Sequence, residues 1–231
     1  MARIDGRSFT RLTKEIHPFE SPFDERVRDM LLATVEHLMN CGFRVVYGYS
    51  QSDEISLLFH RNEQAFHRKE RKFNSILAGE ASAKFSLLLG AIGAFDCRIS
   101  QLPGIEQVVD YFRWRQEDAH RNALTGHCYW LLRKQGQTVE QATTALLRLS
   151  VSDKNELLFA NGINFDALPS WQKRGSGLYW ESYAKTGHNP LTGAEVQTIR
   201  RRVRHDLELP RGDAYTQFIR ALVDANESIS S

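Results

Sequence analysis

A chain of 231 residues with 42% hydrophobic and 25% charged residues has the make-up of an ordinary globular protein. It is long enough for one well-buried domain, or one domain with an elaborated C-terminal part. Its formal net charge of +2 implies no strong global field, and Cys41, Cys97 and Cys128, far apart and without a C-x-x-C pair, argue against a disulfide framework or a zinc site completed with His120 or His127. The longest apolar stretch, around 76–92, contains Glu80 and Lys84 and is too short and too charged to span a bilayer. With no signal-peptide pattern at the start, the expected location is cytoplasmic. Of the 30 basic residues, 22 are arginine. The guanidinium fork suits phosphate and base stacking, although a GC-rich coding bias gives the same count.

In chain order, Ala2 to Ile4 reads as a short first strand, followed by a loop at Gly6. A helix is expected from Ser21-Pro22 to about Asn40. Its apolar residues Val27, Met30, Leu31, Val35 and Leu38 recur at helical spacing, with Gly42 as its stop. Arg44 to Tyr49 and Ile55 to His60 read as strands joined by a hairpin at Ser50–Glu54. A long helix from about Arg68 to Leu89 and a strand from Phe95 to Leu102 follow. The order β-α-β-β-α-β is that of the split βαβ, ferredoxin-like unit. Beyond it the spacing predicts helices at about 105–124, 127–134 and 138–149, loops from Gly162 to Ser176, and β-like stretches at Gly177–Tyr183 and Val196–Arg204. The expected class is therefore α+β: a ferredoxin-like palm with helices on one face, and a mostly helical C-terminal half with a few short strands. The division falls at 1–104 and 105–231, packed as one unit.

The chemistry concentrates in two carboxylate motifs, Ile4-Asp5-Gly6-Arg7-Ser8-Phe9 and Tyr49-Ser50-Gln51-Ser52-Asp53-Glu54. In the ferredoxin-like topology the end of the first strand lies near the second hairpin, so Asp5 can converge with Asp53 and Glu54. Such a cluster suits two Mg²⁺ ions about 3.5–4 Å apart, because Mg²⁺ takes one or two carboxylates and leaves its other positions to phosphate and water. In isolation ordinary turn capping by Ser and Asp is the better account of the second motif, and its pairing with Asp5-Gly6 shifts that balance. Gly6 permits a positive φ and would let the amides of Arg7 to Phe9 approach an anion. Arg68, Lys69 and Lys72 stand at a helix start, where they suit phosphates or simply a solvated turn. Tyr111 to Asn122 interleaves aromatics with arginines, a pattern for bases and phosphates, yet Phe112 and Trp114 also suit a helix core. Arg200 to His205 is a local basic patch, fitting phosphate contact or a charge-blunted edge strand.

Taken together, these segments resemble the tRNA-His guanylyltransferase superfamily, most of all its bacterial and archaeal members that repair tRNA 5′ ends. The likeness runs from Arg3 to about Tyr183. It includes the two motifs above, Tyr111-Phe112-Arg113-Trp114-Arg115-Gln116, Lys154-Asn155-Glu156-Leu157-Leu158-Phe159, and Gly162-Ile163-Asn164-Phe165 through Lys173-Arg174-Gly175. The resemblance implies a polymerase-type palm that adds nucleotides in the 3′-to-5′ direction, with Asp5, Asp53 and Glu54 as catalytic groups. It implies two Mg²⁺ ions on Asp5, the Gly6 carbonyl and Asp53. ATP, GTP or another NTP would be held by Asp5, Gly6, Arg7, Ser8, Phe9, Thr10, Ser52, Asp53, Lys69 and Lys72. RNA contacts would fall on Arg3, Arg115, His120, Asn122 and Lys154, and the assembly would be a homo-tetramer. His120-Arg121-Asn122-Ala123-Leu124-Thr125-Gly126 stands where the eukaryotic enzymes carry His-Ile-Asn-Asn-Leu-Tyr-Asn, which favours template-dependent repair of 5′-truncated tRNA over non-templated addition of G to tRNA-His. Ser21 stands where that pattern has a lysine, so one triphosphate contact is missing or is supplied by Arg7 or Lys14. A ferredoxin-like RNA-binding module without chemistry is the third expectation.

Overall fold

The short apolar alternation of the first strand builds a fully paired strand. In the computed structural model, which describes residues 1–188 and 195–227, β1 (Ala2–Gly6) pairs along its length with both β3 (Glu54–Phe59) and β4 (Phe95–Ile99). Ala2 and Ile4 point into the core, and Arg3 and Asp5 point to the other face. β2 (Val45–Gln51) joins β3 through a two-residue turn at Ser52-Asp53, tighter than the five-residue hairpin expected. The strands extend because Ser50, Gln51 and Glu54 are buried at the sheet end.

The βαββαβ palm is borne out. Among the described residues six strands run antiparallel in the order β4-β1-β3-β2-β5-β6, where β5 is Ser176–His188 and β6 is Glu195–Asp206. Helices α2 (Glu25–Asn40) and α3 (Glu70–Leu89) pack on one face of the palm, with Leu31, Val35, Leu38, Leu77 and Phe85 against Ile4, Ile55 and Leu57. α2 starts at Glu25, later than expected, because Asp24 caps it by accepting from the Arg26 amide at 2.8 Å. Before it lie a helical turn, α1 (Phe9–Arg11), and a π-helical turn at Leu12–Ile16.

The C-terminal strands are longer than expected and continue the palm sheet. β5 (Ser176–His188) pairs with β2, and β6 (Glu195–Asp206) with β5. On the second face of the sheet sits α4 (Ile105–Lys134), one 30-residue helix where two were expected. Gly126 does not break it: a helical glycine costs only about 1 kcal/mol, and buried Ala123, Leu124, Cys128 and Leu132 hold the helix on both sides. The capped helices α5 (Val139–Leu147) and α6 (Val151–Phe159) pack on that C-terminal half, and α7 (Ser170–Arg174) follows. The final helix, α8 (Asp213–Glu227), was not anticipated. It buries Tyr215 and Ile219 with Val46, Tyr47 and Phe112 in a second core. The three cysteines are free thiols, and among the described residues no helix is long and apolar enough to cross a membrane.

Candidate active site

The two carboxylate motifs meet at one end of the sheet. Asp5 stands directly opposite Glu54 on β3 and Asp96 on β4. The Gly6 amide donates to the Asp53 carbonyl at 3.0 Å. A Cβ on Gly6 would lie 2.9 Å from Asp53 Cβ and 2.4 Å from Phe9 Cδ2, so only glycine lets the strand end approach the turn. The amide of Phe95, paired with Gly6 across the sheet, donates to Ser82 Oγ at 2.9 Å and so does not claim the Gly6 carbonyl. Ser52 holds a left-handed φ of 53°, unfavourable for a residue with a Cβ, and its hydroxyl bonds the Asp53 carboxylate.

Burial raises the Asp53 pKa, and the nearby Asp5 carboxylate raises it further. The Asp53 and Asp5 carboxylates and the Gly6 carbonyl are hard oxygen donors of the kind Mg²⁺ prefers. Among the described residues no three His, Cys, Asp or Glu side chains form a ready metal cluster; a phosphate-bridged Mg²⁺ needs only one or two carboxylates.

Glu54 differs from its two neighbours. Arg115 Nε lies 2.7 Å from Oε1, and the Arg3 guanidinium pairs with Oε2 while reaching Asp5 at 3.7 Å. Burial raises the Glu54 pKa, and Arg115 and Arg3 oppose that rise. Arg115 is only 5% exposed, on the buried stripe of α4 with Phe112 and Ala119, so it serves Glu54 and does not present a fork to RNA.

Beside the Asp53 turn opens a cleft of about 240 Å³, lined by Thr10, Lys14, Ser52, Asp53, Asn122 and Trp130 among others. Lys14, one of the two residues that could replace the lysine missing at Ser21, lines this cleft together with Arg28. Lys14 Nζ donates to the carbonyls of Glu20 at 2.7 Å and Pro22 at 3.3 Å and sits 5.8 Å from the Trp130 ring centroid. The π-helical turn swings it there, next to the segment where Ser21 replaces the family lysine. In the Arg7–Phe9 run the Arg7 amide is taken by the Ala94 carbonyl at 2.8 Å. The amides of Ser8, Phe9 and Thr10 precede or open a helical turn and have no acceptor within it. The Phe9 side chain is core, packed on Phe85 and Phe95 at 5.0 and 4.9 Å, so it can offer a ligand only backbone.

Other expected residues lie elsewhere. Lys69 and Lys72 are exposed at the start of α3. That end of the helix, with Arg68 and Phe73, borders a separate groove of about 950 Å³ shared with Met1 and Ile99. The opposite end of α3 reaches Gly6 through Phe85, so roughly 20 Å of helix separates Lys72 from the carboxylates. The structure therefore does not bring these lysines to Asp5 and Asp53 within one chain. Asn122 borders the cleft with Asp53, its amide donating to Asp118 at 3.2 Å. His120 packs on Phe165, its pKa lowered by burial and by the Lys173 ammonium. Lys154 ties α6 to α4 through Thr125 Oγ1 at 3.1 Å.

A palm-like sheet carries paired carboxylates at a strand end and a hairpin, beside a cleft lined by a lysine and by backbone amides, an arrangement suited to phosphate esters. Residues 1–103 match the family model for tRNAHis guanylyltransferase, and residues 106–211 the model for the C-terminal domain of the same family. A probable tRNA(His) guanylyltransferase of Drosophila melanogaster is 35% identical over 186 residues, 76% of this chain and 65% of that protein. The tRNA(His) guanylyltransferase of Debaryomyces hansenii is 31% identical over 90% of this chain and 83% of its own length. A solved bacterial tRNA(His) guanylyltransferase-like protein in complex with ATP superposes with a TM-score of 0.72 at 27% identity, covering 96% of this chain and 88% of the other. The chain spans less than two thirds of the Drosophila, Arabidopsis thaliana and Mus musculus relatives, at 65%, 37% and 64% of their lengths. The chain belongs to the tRNAHis guanylyltransferase family.

Proposed function

We propose that this protein is a nucleotidyltransferase that adds nucleotides to the 5′ end of tRNA, in the 3′-to-5′ direction and under template control, on 5′-truncated substrates. The observation that carries the reading is the contact of Gly6 with Asp53, which sets two carboxylates and a backbone carbonyl together beside the cleft. Solved relatives are described as complexes with ATP and with GTP. That supports nucleoside triphosphates as co-substrates here.

In the first step an oxygen of the RNA 5′-monophosphate attacks the α-phosphorus of ATP, and pyrophosphate leaves. In the second, the 3′-hydroxyl of the incoming NTP attacks the activated 5′-phosphorus, and AMP leaves. Asp5, Asp53 and the Gly6 carbonyl would hold Mg²⁺. When bound, the ions lower the pKa of the attacking hydroxyl and offset charge on the leaving group. Lys14 and the amides of Ser8 to Thr10 hold the triphosphate in the cleft. Glu54 acts as a positioning group: it fixes Arg3 and Arg115, and Arg3 offers the remainder of its fork beside Asp5 to an approaching 5′-phosphate. Lys69 and Lys72 remain part of this reading only as phosphate contacts made outside the Asp53 cleft, or across the homo-tetramer that the family resemblance implies. His120 and Lys154 are assigned to the RNA body, and the location proposed is cytoplasmic.

Template control is favoured by the stretch from His120 to Gly126, which keeps only His120, Asn122 and Leu124 of the eukaryotic pattern. The test is a gel assay on a tRNA lacking its 5′-terminal nucleotide, with Mg²⁺, ATP and each NTP in turn, while the opposing base is varied. Extension by the complementary nucleotide alone is expected. Addition of G whatever the opposing base replaces the reading with tRNA-His guanylylation. Tight binding without extension replaces it with an RNA-binding module.

A further inference from the structure

Trp114 is half exposed, at 50%, on a helix whose adjacent aromatic, Phe112, is completely buried. A half-exposed indole beside a buried charge cluster stands out, because tryptophan is highly buried on average. Its surroundings hold it in place. The Arg115 guanidinium stacks 4.8 Å from the ring centroid, and that same guanidinium is the one paired with Glu54 at 2.7 Å. Tyr111 meets the indole edge-on at 6.2 Å, and the Tyr111 hydroxyl is tied to Ser56 Oγ on β3 at 3.0 Å. The ring is therefore supported through two links to the strand that carries Glu54.

The floor beside it is polar and open. On this face α4 and α8 cover β2 and β3, with Val46, Tyr47 and Leu58 in their shared core. Over β1 and β4 stand Arg3, Asp5, Asp96 and Arg98, with Arg98 paired opposite Arg3 and both Asp96 and Arg98 exposed. The nucleotide cleft with Ser52, Asp53 and Trp130 does not include Trp114. Two aromatic positions thus belong to two places: Trp130 to the cleft, and Trp114 to the open face with the two arginines.

We propose that Trp114 is a stacking platform for the nucleobase at the 5′ terminus of the RNA, and that Arg3 and Arg98 take the adjoining backbone phosphates. This rests on the nucleotidyltransferase reading and adds to it how the acceptor end is held. Every base has a π-face, so an indole platform grips a terminal base without reading its identity. That suits an activity in which the opposite strand, not the protein, selects the nucleotide added. Trp114 is a positioning residue: it sets where the 5′-phosphate lies relative to Asp5 and touches no reacting atom.

The test uses a 5′-truncated tRNA with 2-aminopurine as its 5′-terminal nucleotide, bound to the full chain without NTP. Quenching of the 2-aminopurine is expected with the unaltered protein. Trp114→Leu, which keeps apolar volume and removes the π-face, should abolish the quench and weaken RNA binding roughly 5- to 100-fold. Trp114→Phe should retain most of both, and the KM for NTP should not change in either variant. Melting temperatures and sedimentation of the variants accompany the binding curves. Equal quenching and affinity in Trp114→Leu overturns the platform, as does a loss of binding that tracks a change in subunit number. Extension by the unaltered protein reports separately on the parent reading. Quenching without extension removes the nucleotidyltransferase reading and leaves the platform. Extension with an unchanged RNA KM in Trp114→Leu does the reverse.

Discussion

Gly6 and Asp53 are joined by an amide-to-carbonyl hydrogen bond of 3.0 Å, and approach so closely that a Cβ on Gly6 would lie 2.9 Å from Asp53 Cβ. Gly6→Ala should therefore be damaging in two ways. Overpacking against Phe9 and Asp53 is expected to cost about 1–3 kcal/mol, and the Asp53 carboxylate should move away from Asp5. Thermal unfolding would show the first loss. A fall in turnover larger than the stability loss explains, measured well below Tm, would show the second.

Asp53 itself should be dispensable for folding and indispensable for turnover. Its carboxylate is disfavoured by burial and by Asp5, so its pKa is raised. Protons therefore leave it later in the folded protein than in the unfolded chain. Stability is lost as pH rises through and above the ordinary carboxylate range, and is present below it. Asp53→Asn should then raise Tm at neutral pH in EDTA, with the gain vanishing in acid. Added Mg²⁺ should raise the Tm of the unaltered protein more than that of the variant. Turnover of Asp53→Asn should fall about 10³-fold or more, on the order of 4 kcal/mol of transition-state stabilisation.

Arg115 gives the opposite pattern. It is 5% exposed and pairs with Glu54, which is 6% exposed. Removing one partner of a buried pair leaves the other charge uncompensated, a loss of about 3 kcal/mol. Arg3 still holds one oxygen of Glu54, so Arg115→Ala should fold and unfold early in denaturant. Arg115→Lys should recover only part of the loss, because an ammonium cannot both reach the carboxylate and stack on Trp114.

The convergence of Asp5 with Asp53 was legible in the sequence because strand alternation and the βαββαβ order together bring one strand end to one hairpin. Three features were not. Arg115 reads as one of several arginines on a charged helix, and only the fold supplies Glu54 as its partner. The choice of Lys14 over Arg7 depends on a π-helical turn, for which Leu12 to Ile16 carries no local signature. Lys69 and Lys72 sit correctly at a helix start, but sequence spacing does not say which end of the sheet that helix starts from. α8 is missed although its signal is in the sequence: Tyr215, Phe218, Ile219, Leu222 and Val223 repeat at helical spacing, and all five belong to the second core.

Lys14 provides the most direct test of the cleft. Burial lowers its pKa, with Asp24 and Glu20 opposing the shift, yet its ammonium spends two hydrogen bonds on backbone carbonyls. An ammonium has three donors, so one remains for a phosphate oxygen. Lys14→Ala should raise the KM for NTP roughly 10-fold, the scale of about 1.4 kcal/mol for one charge-assisted hydrogen bond, and leave RNA affinity unchanged. Because the free-enzyme pKa is lowered, NTP affinity should weaken as pH rises towards the lysine range. That fall should start at lower pH than for an exposed lysine and be absent in Lys14→Arg, whose guanidinium stays charged. A Lys14→Ala protein with the same NTP KM at every pH would move the triphosphate out of this cleft.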